Sequence, residues 1–212
     1  MVLLPALKRF RSPGDNRRVT VPQGESSSLA GVVFNISVAA FVIGELVQAL
    51  RVRSGAARAN LGAEIVFRLM FFAAILLLAV GRAVVPGAAV GGGWLFVLGA
   101  VIGWVGLLLR WWSFASLGRY FTVVLKTSDD QPVVERGPYR VLRHPSYTGL
   151  LLAVVGAGLM LGNWVAATAA VGLVLIALVY RIRIEEHALT AALGDPYRQF
   201  AASRARLIPY VW

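Results

Sequence analysis

The sequence GPYRVLRHPSYTGL, residues 137–150, is a short polar stretch that leads directly into a membrane-length apolar hairpin. It places Arg143 and His144 at the mouth of that hairpin. About thirty-five residues later, where the hairpin ends, a second polar cluster follows with the sequence RIRIEEH, residues 181–187. Ionisable groups at a membrane boundary are costly to bury, so both clusters are candidates for a functional site. Because they lie at the same end of one hairpin, they predict a single pocket.

Long apolar runs place the chain among helical membrane proteins. Of its 212 residues, 58% are hydrophobic and only 15% are charged, whereas about 25% are charged in a typical soluble domain. A membrane span needs about 20 apolar residues, and lipid tolerates only helices and closed barrels. We therefore predict an all-α integral membrane protein with about five transmembrane helices. The apolar runs cover residues 29–50, 65–85, 94–109, 147–161 and 164–180.

The last two apolar runs are the shortest, and only Gly162 and Asn163 separate them. This pattern predicts a tight C-terminal helical hairpin that does not cross the bilayer symmetrically. Pro145 suits the first turn of the first hairpin helix, where its missing N–H has no helical partner to lose. Gly194 predicts the end of the second hairpin helix, and Pro196 predicts the start of a further one.

The apolar runs also divide the chain into three parts. Residues 1–28 are polar and basic, contain proline and glycine, and are predicted to form a flexible tail. They lack the basic-then-apolar order of a signal peptide. Residues 29–93 are predicted to carry two N-terminal transmembrane helices. Residues 94–212 contain the remaining apolar runs and both polar clusters, so they form the predicted functional core.

The distribution of basic residues predicts the orientation of the chain. With five spans, the loops after the first and third spans lie on the same side as the C-terminal segment, and together they carry most of the arginines. The positive-inside rule makes that side cytoplasmic, so the pocket is expected to face the cytoplasm. The five basic residues of the segment 1–28 favour the opposite orientation. A four-span or re-entrant arrangement would remove this conflict.

Composition also excludes several kinds of site and partner. The chain has no cysteine, which excludes disulfides, thiolate catalysis and cysteine-ligated metals. Its only histidines are His144 and His187, so no metal site is expected. The net charge of +11 is interpreted as a topology signal and an attraction to anionic lipid in the surrounding bilayer. It does not form the basic and aromatic stripe of a single-strand binder, so no nucleic acid partner is expected.

Four sequence stretches carry a resemblance to a known family: GPYRVLRHPSYTG, RIRIEEHAL, LGDPYRQF and RLIPYVW. Together they resemble the isoprenylcysteine carboxyl methyltransferase family, which belongs to a wider set of integral-membrane methyltransferases that includes phospholipid methyltransferases. The pattern Arg-His-Pro-x-Tyr-x-Gly is specific when Glu-Glu follows after one hairpin. The resemblance covers about residues 94–212, which makes this part a membrane methyltransferase core. It implies that S-adenosyl-L-methionine is the cofactor.

The same resemblance implies a lipophilic small-molecule or prenylated acceptor, and the carboxylate of a prenylcysteine or isoprenoid-like substrate is the favoured one. By motif position and by chemistry, the predicted cofactor-binding residues are Tyr139, Arg143, His144, Pro145, Tyr147, Gly149, Glu185 and Glu186. The residues expected to serve the reacting carboxylate are Arg181, Glu185, Arg204 and Arg206. Glutamates can accept hydrogen bonds from the cofactor ammonium, and tyrosine rings can face its sulfonium.

Several alternatives stay open at this level. Arg181 and Glu185 are four residues apart and can pair along one helix face. Glu45 and Arg68 lie within the first two apolar runs, where they can pair with each other or Arg68 can extend to the interface. The alternative functions are a phospholipid N-methyltransferase, a sterol-reductase-like membrane reductase that uses NADPH, and a non-catalytic membrane scaffold or small transporter.

Overall fold

The computed structural model describes residues 23–51, 61–118, 133–209 and 212. Residues 1–22 of the predicted tail and most of the polar loop after the third span lie outside these ranges. The described part contains helices and isolated bridges but no strand, so the predicted all-α fold class is confirmed. Its α-helices are α1 (Gln23–Arg51), α2 (Leu61–Val84), α3 (Gly93–Leu117), α4 (Pro145–Leu161), α5 (Trp164–Leu193) and α6 (Asp195–Ala202).

Four of these helices are long and apolar enough to cross a membrane, namely α1, α2, α3 and α5. Helix α4 has 17 residues and is about 25 Å long, which is shorter than the roughly 30 Å hydrocarbon core. The prediction of about five membrane helices is therefore confirmed as four full spans and one short helix. The protein is a multi-pass integral membrane protein.

The C-terminal hairpin is asymmetric for a different reason than the sequence indicated. Helix α5 does not end near Tyr180 but continues to Leu193, for 30 residues in all. The helix end predicted at Gly194 is therefore confirmed, and the expectation that is wrong is the short apolar span at residues 164–180. The helix can continue through the polar cluster 181–187 because glutamates and arginines of that cluster form ion pairs with other elements.

Helices α3 and α4 pack closely along a glycine seam. A Cβ atom at Gly106 would lie 2.5 Å from the carbonyl oxygen of Gly149, and one at Gly99 would lie 2.7 Å from that of Gly156. Only glycine allows backbones to approach this closely, so these residues allow the tight packing of α3 against α4. The seam fixes the start of α4 against α3, and Arg110 of α3 also donates a 3.0 Å hydrogen bond to the carbonyl of Ser146.

The apolar core lies between α2, α4 and α5. Its buried members are Ala74, Leu78, Leu150, Val154, Ala170, Val174 and Leu178. This packing brings the N-terminal half of α2, which lies outside the family-like region, against the mouth of the hairpin.

Of the two alternatives that the sequence left open for Glu45 and Arg68, the pairing with each other is contradicted. Glu45 accepts two hydrogen bonds from Arg110, at 2.5 and 2.9 Å, because α1 packs against α3. Arg68 instead binds Glu64 one turn earlier in its own helix, at 2.7 Å. Trp104 of α3 also donates to Ser37 of α1, at 3.0 Å. Polar contacts thus attach α1 to α3.

Asn163 holds the turn of the hairpin to the end of α2. Its side chain caps α5 by accepting from the backbone N–H of Ala166, at 3.0 Å. Its amide nitrogen donates to the carbonyls of Gly81 and Val85, at 3.2 and 2.8 Å. The residue is 2% exposed, so water does not replace these bonds when they are lost.

We predict that Asn163→Ala lowers the free energy of unfolding by about 2 kcal/mol, because it removes a helix cap and leaves two carbonyls at the end of α2 without that donor. Thermal unfolding in detergent micelles measures this. Thr168→Ala, which removes one exposed hydrogen bond within the same helix, is the matched control. Equal loss of stability in the two variants would contradict the assigned role of Asn163.

Candidate active site

The two polar clusters of the sequence meet at the mouth of the hairpin. Arg143 donates to Glu186 at 2.7 Å, and the hydroxyl of Tyr147 donates to Glu185 at 2.8 Å. The imidazole Nε2 of His144 lies 3.4 Å from the same Glu186 carboxylate. The motif at the start of α4 therefore packs against the end of α5, and the predicted single cluster is confirmed.

The C-terminal segment forms the third side of this cluster. The backbone N–H groups of Arg143 and His144 donate to the carbonyls of Ala205 and Arg206, at 2.8 and 3.1 Å. Leu142 and Ala205 form a parallel bridge. The hydroxyl of Thr148 donates to the carbonyl of residue 207 at 2.7 Å. Residues 205 and 206 are thus fixed to the Arg-His-Pro motif by backbone hydrogen bonds, and residue 207 is fixed by the Thr148 hydroxyl.

Glu186 is the centre of one charged group. One of its oxygens accepts from Arg143, and the other accepts from the Nε of Arg206 at 2.8 Å. Its side chain is only 13% exposed. Two arginines thus share one largely buried carboxylate, and this group joins α4, α5 and the C-terminal segment.

A second group is built around Tyr147. Its hydroxyl donates to Glu185 and accepts from the Nε of Arg181 at 3.1 Å. The Nη1 of Arg181 donates to Glu64 of α2. The phenol of Tyr147 therefore lies between Arg181 and Glu185 and links them, in place of the direct pair that their spacing suggested. The carboxylate that binds Arg181 directly comes from α2.

Glu64 is a site residue that the sequence did not reveal. It lies in the first turn of α2, outside the stretches that resemble a known family. Its side chain is 19% exposed, and both oxygens contact arginines, one from Arg68 and one from Arg181. The spacing of Glu64 and Arg68 by four residues was a usable signal. The contact with Arg181 was not readable, since it depends on how α2 packs against α5.

Aromatic rings form the apolar wall of the site. The rings of His144 and Tyr147 stack with their centroids 5.6 Å apart and an interplanar angle of 17°. Phe67 of α2 lies 6.4 Å from the Tyr147 ring, and the Arg181 guanidinium lies 5.7 Å above the Phe67 ring. Phe71 continues this wall along α2. The guanidinium of Arg181 is therefore adjacent to an aromatic surface that leads into the apolar part of the protein.

One buried hydroxyl points to a ligand. Within the described part of the chain, the hydroxyl of Tyr197 has no hydrogen-bond partner, whereas the Nε2 of His144 still has the Glu186 carboxylate at 3.4 Å. Tyr197 of α6 is 4% exposed. Burial, and then the charges of Glu186 and Glu185, raise the pKa of Tyr197 well above its ordinary value, so it stays a hydrogen-bond donor. Tyr197 was not among the predicted site residues, although it lies in the quoted stretch LGDPYRQF.

The remaining predicted residues take different positions. Pro145 occupies the first turn of α4, as expected, and Gly149 lies in the seam with α3. Tyr139 is buried in the 3-10 turn Gly137–Arg140, where burial and then the charge of Glu185 raise its pKa.

Arg206 and Arg204 differ in how they relate to the site. Arg206 joins Glu186 and stacks 5.1 Å from the Trp212 ring. Arg204 directs its guanidinium to Glu135, at 2.9 Å, beside a separate shallow cleft of about 470 Å³. Its backbone carbonyl, however, accepts from the Nε of Arg143 at 2.9 Å. Among the predicted residues, the side chains that the structure brings into contact with one another are those of Arg143, His144, Tyr147, Arg181, Glu185, Glu186 and Arg206.

Comparison with known proteins identifies the central part of this chain. Residues 97–191 match the isoprenylcysteine carboxyl methyltransferase (ICMT) family, and they include α4 and both halves of the charged cluster. The matched residues make up less than half of the chain, and the family they match is one of methyltransferases. Glu64 and the C-terminal segment 204–212 lie outside the matched region.

Curated relatives agree with this match to the ICMT family. The chain is 35% identical over 120 residues to "Protein-S-isoprenylcysteine O-methyltransferase A" of Arabidopsis thaliana. It is 32% identical over 120 residues to the B protein of the same plant. Each match covers 56% of this chain and 61% of the relative. The chain thus spans about three fifths of the length of these relatives.

A solved structure supports the ICMT fold. It is described as the eukaryotic intramembrane Ras methyltransferase ICMT, and it aligns with a TM-score of 0.55 at 23% identity. The alignment covers 68% of this chain and 52% of the other. At this identity the similarity concerns the fold.

We predict that Arg143→Ala loosens the C-terminal segment, because Arg143 donates both to Glu186 and to the carbonyl of Arg204. Trypsin should then cleave after Arg204 and Arg206 about tenfold faster, which corresponds to roughly 1.4 kcal/mol of easier local opening. Cleavage is followed by mass spectrometry of the detergent-purified protein. Arg140→Ala, which changes an exposed arginine three residues earlier in the chain, is the control. Identical cleavage rates in the two variants would overturn this role.

Proposed function

We propose that this protein is an S-adenosyl-L-methionine-dependent methyltransferase that converts the carboxylate of a prenylcysteine, or of a related isoprenoid acid, into its methyl ester. One observation carries the proposal: in a membrane protein with an ICMT-family core, Arg181 lies beside an aromatic wall and next to the paired clusters of the hairpin. A cationic donor for a carboxylate and an apolar surface for its lipid chain are thus adjacent.

The residues at the hairpin mouth fit the cofactor. When bound, S-adenosyl-L-methionine supplies a methyl group on a sulfonium sulfur. Glu185 can accept from its ammonium group, because the only hydrogen bond to Glu185 in the described part of the chain comes from Tyr147. Tyr197 offers a buried hydroxyl that has no partner among the described residues. The stacked rings of His144 and Tyr147 present a π-face to a cation.

Glu186 has a different place in the proposed site. Both of its oxygens already accept from arginines, so we assign it to positioning the motif at the start of α4. Glu185 is then the carboxylate that contacts the cofactor. This division follows from their directions, since adjacent residues on a helix point about 100° apart.

The acceptor needs a cationic partner and no general base. A carboxylate oxygen forms the new C–O bond to the methyl carbon as the C–S bond breaks, and the C–S electron pair stays on sulfur. An anion and a cation are consumed, a neutral ester and a neutral thioether result, and no proton moves. Arg181 would hold the carboxylate in line, and such positioning can supply effective molarities of about 10⁵ M or more.

The basic loops support a cytoplasmic position for the pocket, where the water-soluble cofactor is available. We predict that Ser128→Cys and Ser203→Cys, made singly in this cysteine-free chain, are both labelled by an impermeant thiol reagent only from the cytoplasmic side. Ser128 reports the loop before the motif and Ser203 reports the C-terminal segment. Labelling of the two positions from opposite sides would contradict the shared pocket.

We predict that the purified protein transfers a labelled methyl group from S-adenosyl-L-methionine to N-acetyl-S-farnesylcysteine. Arg181→Ala should lower turnover at least tenfold, which requires the loss of about 1.4 kcal/mol of transition-state stabilisation. Arg183→Ala is the matched control, because it removes an exposed arginine two residues further along α5. Turnover is measured as label recovered in the base-labile methyl ester.

Two outcomes would redirect the assignment. Label in the head group of phosphatidylethanolamine, with none in farnesylcysteine, would indicate a phospholipid N-methyltransferase. Binding of NADPH without binding of S-adenosyl-L-methionine would indicate a reductase. Equal activity of the Arg181→Ala and Arg183→Ala variants would keep the methyltransferase but remove Arg181 from its mechanism.

A further inference from the structure

We propose that Glu64 of α2 occupies the place of the acceptor carboxylate on Arg181 and is exchanged for it when the substrate binds. This inference rests on the proposed function, since it assigns a role to a residue beside the same arginine. Glu64 lies outside the ICMT-family region 97–191, so this feature belongs to the N-terminal part of the chain.

The contacts of Arg181 carry the proposal. A guanidinium binds a carboxylate best in a forked manner, through two nitrogens on one edge. The Nε of Arg181 donates to Tyr147, and its Nη1 donates to Glu64. One nitrogen of each forked edge that Arg181 can offer is therefore already in use. A second carboxylate cannot bind in the forked manner until Glu64 or Tyr147 leaves.

Glu64 is the partner that can leave. Tyr147 is held in place, because its hydroxyl also donates to Glu185 and its ring packs against His144 and Phe67. Glu64, in contrast, has a second cation at hand, because its other oxygen accepts from Arg68 at 2.7 Å. The Arg68 side chain is 62% exposed, whereas that of Arg181 is 18% exposed. Glu64 can thus release Arg181 and keep a solvated partner.

Such an exchange avoids leaving Arg181 without a carboxylate partner. An arginine at the membrane boundary is costly to leave unpaired, and a carboxylate partner removes that cost. When an anionic acceptor binds, it takes the place of Glu64, so Arg181 still has one carboxylate partner. The methyl ester product carries no charge and cannot hold Arg181. Return of Glu64 then favours release of the product.

The test measures the KM of N-acetyl-S-farnesylcysteine and the inhibition by its methyl ester in the full-length protein. Glu64→Gln should lower the KM about fivefold, because the amide competes weakly for Arg181. The inhibition constant of the neutral ester should not fall with the KM, because the ester does not bind the freed arginine. The ratio of the inhibition constant to the KM should therefore rise. A merely structural role of Glu64 would shift both constants together.

Arg68→Gln should act in the opposite direction. Without its second cation, Glu64 is held more firmly on Arg181, so the KM should rise about twofold. Arg68 is exposed, so this variant also serves if Glu64→Gln does not fold. Asp195→Asn removes an exposed carboxylate that is paired with Arg198, and its KM should match that of the unaltered protein.

The outcomes separate the two proposals. A raised KM or a lowered kcat in Glu64→Gln, in an otherwise active enzyme, would show that Glu64 only positions Arg181, and it would overturn the exchange while leaving the proposed function intact. An unchanged KM in both Glu64→Gln and Arg68→Gln would also overturn it. Absence of methyl transfer in the unaltered protein would instead overturn the proposed function, and the exchange with it.

Discussion

The pairing of arginines with carboxylates at the edge of the bilayer is the constraint on which the rest of this structure depends. Unpaired charges are expensive there, so each of Arg143, Arg181 and Arg206 is held by a glutamate. These glutamates come from α2 and α5, and the arginines come from the motif before α4, from α5 and from the C-terminal segment. Charge pairing therefore gathers separate parts of the chain into one site and fixes the short helix α4 at their centre.

Much of this arrangement could be predicted from the sequence because it follows from local signals. Apolar length indicated the spans, Pro145 marked the start of α4, and Gly194 marked the end of α5. The meeting of the two polar clusters followed from hairpin geometry, since both lie at the same end of two adjacent helices. The family resemblance was specific because its motifs are spaced by that hairpin, and residues 97–191 match the ICMT family.

The parts that could not be predicted depend on packing between distant elements. The contact of Glu64 with Arg181 spans 117 positions and arises only when α2 packs on α5. The partner of Glu45 could not be predicted because nothing in the apolar runs tells which helix α1 contacts. The apolar run 164–180 gave too short a span for α5, because paired charges allow the helix to continue through the polar cluster.

The hydrogen bonds between residues 205–207 and the Arg-His-Pro motif have a consequence for how the protein is made. This segment follows both hairpin helices along the chain, so it can dock only after they have been inserted into the membrane. The site is therefore assembled last during synthesis, and a nascent chain still short of residue 205 presents the cluster of Arg143 and Glu186 without its third side. Synthesis order thus completes this charged cluster only after the hairpin is in the membrane.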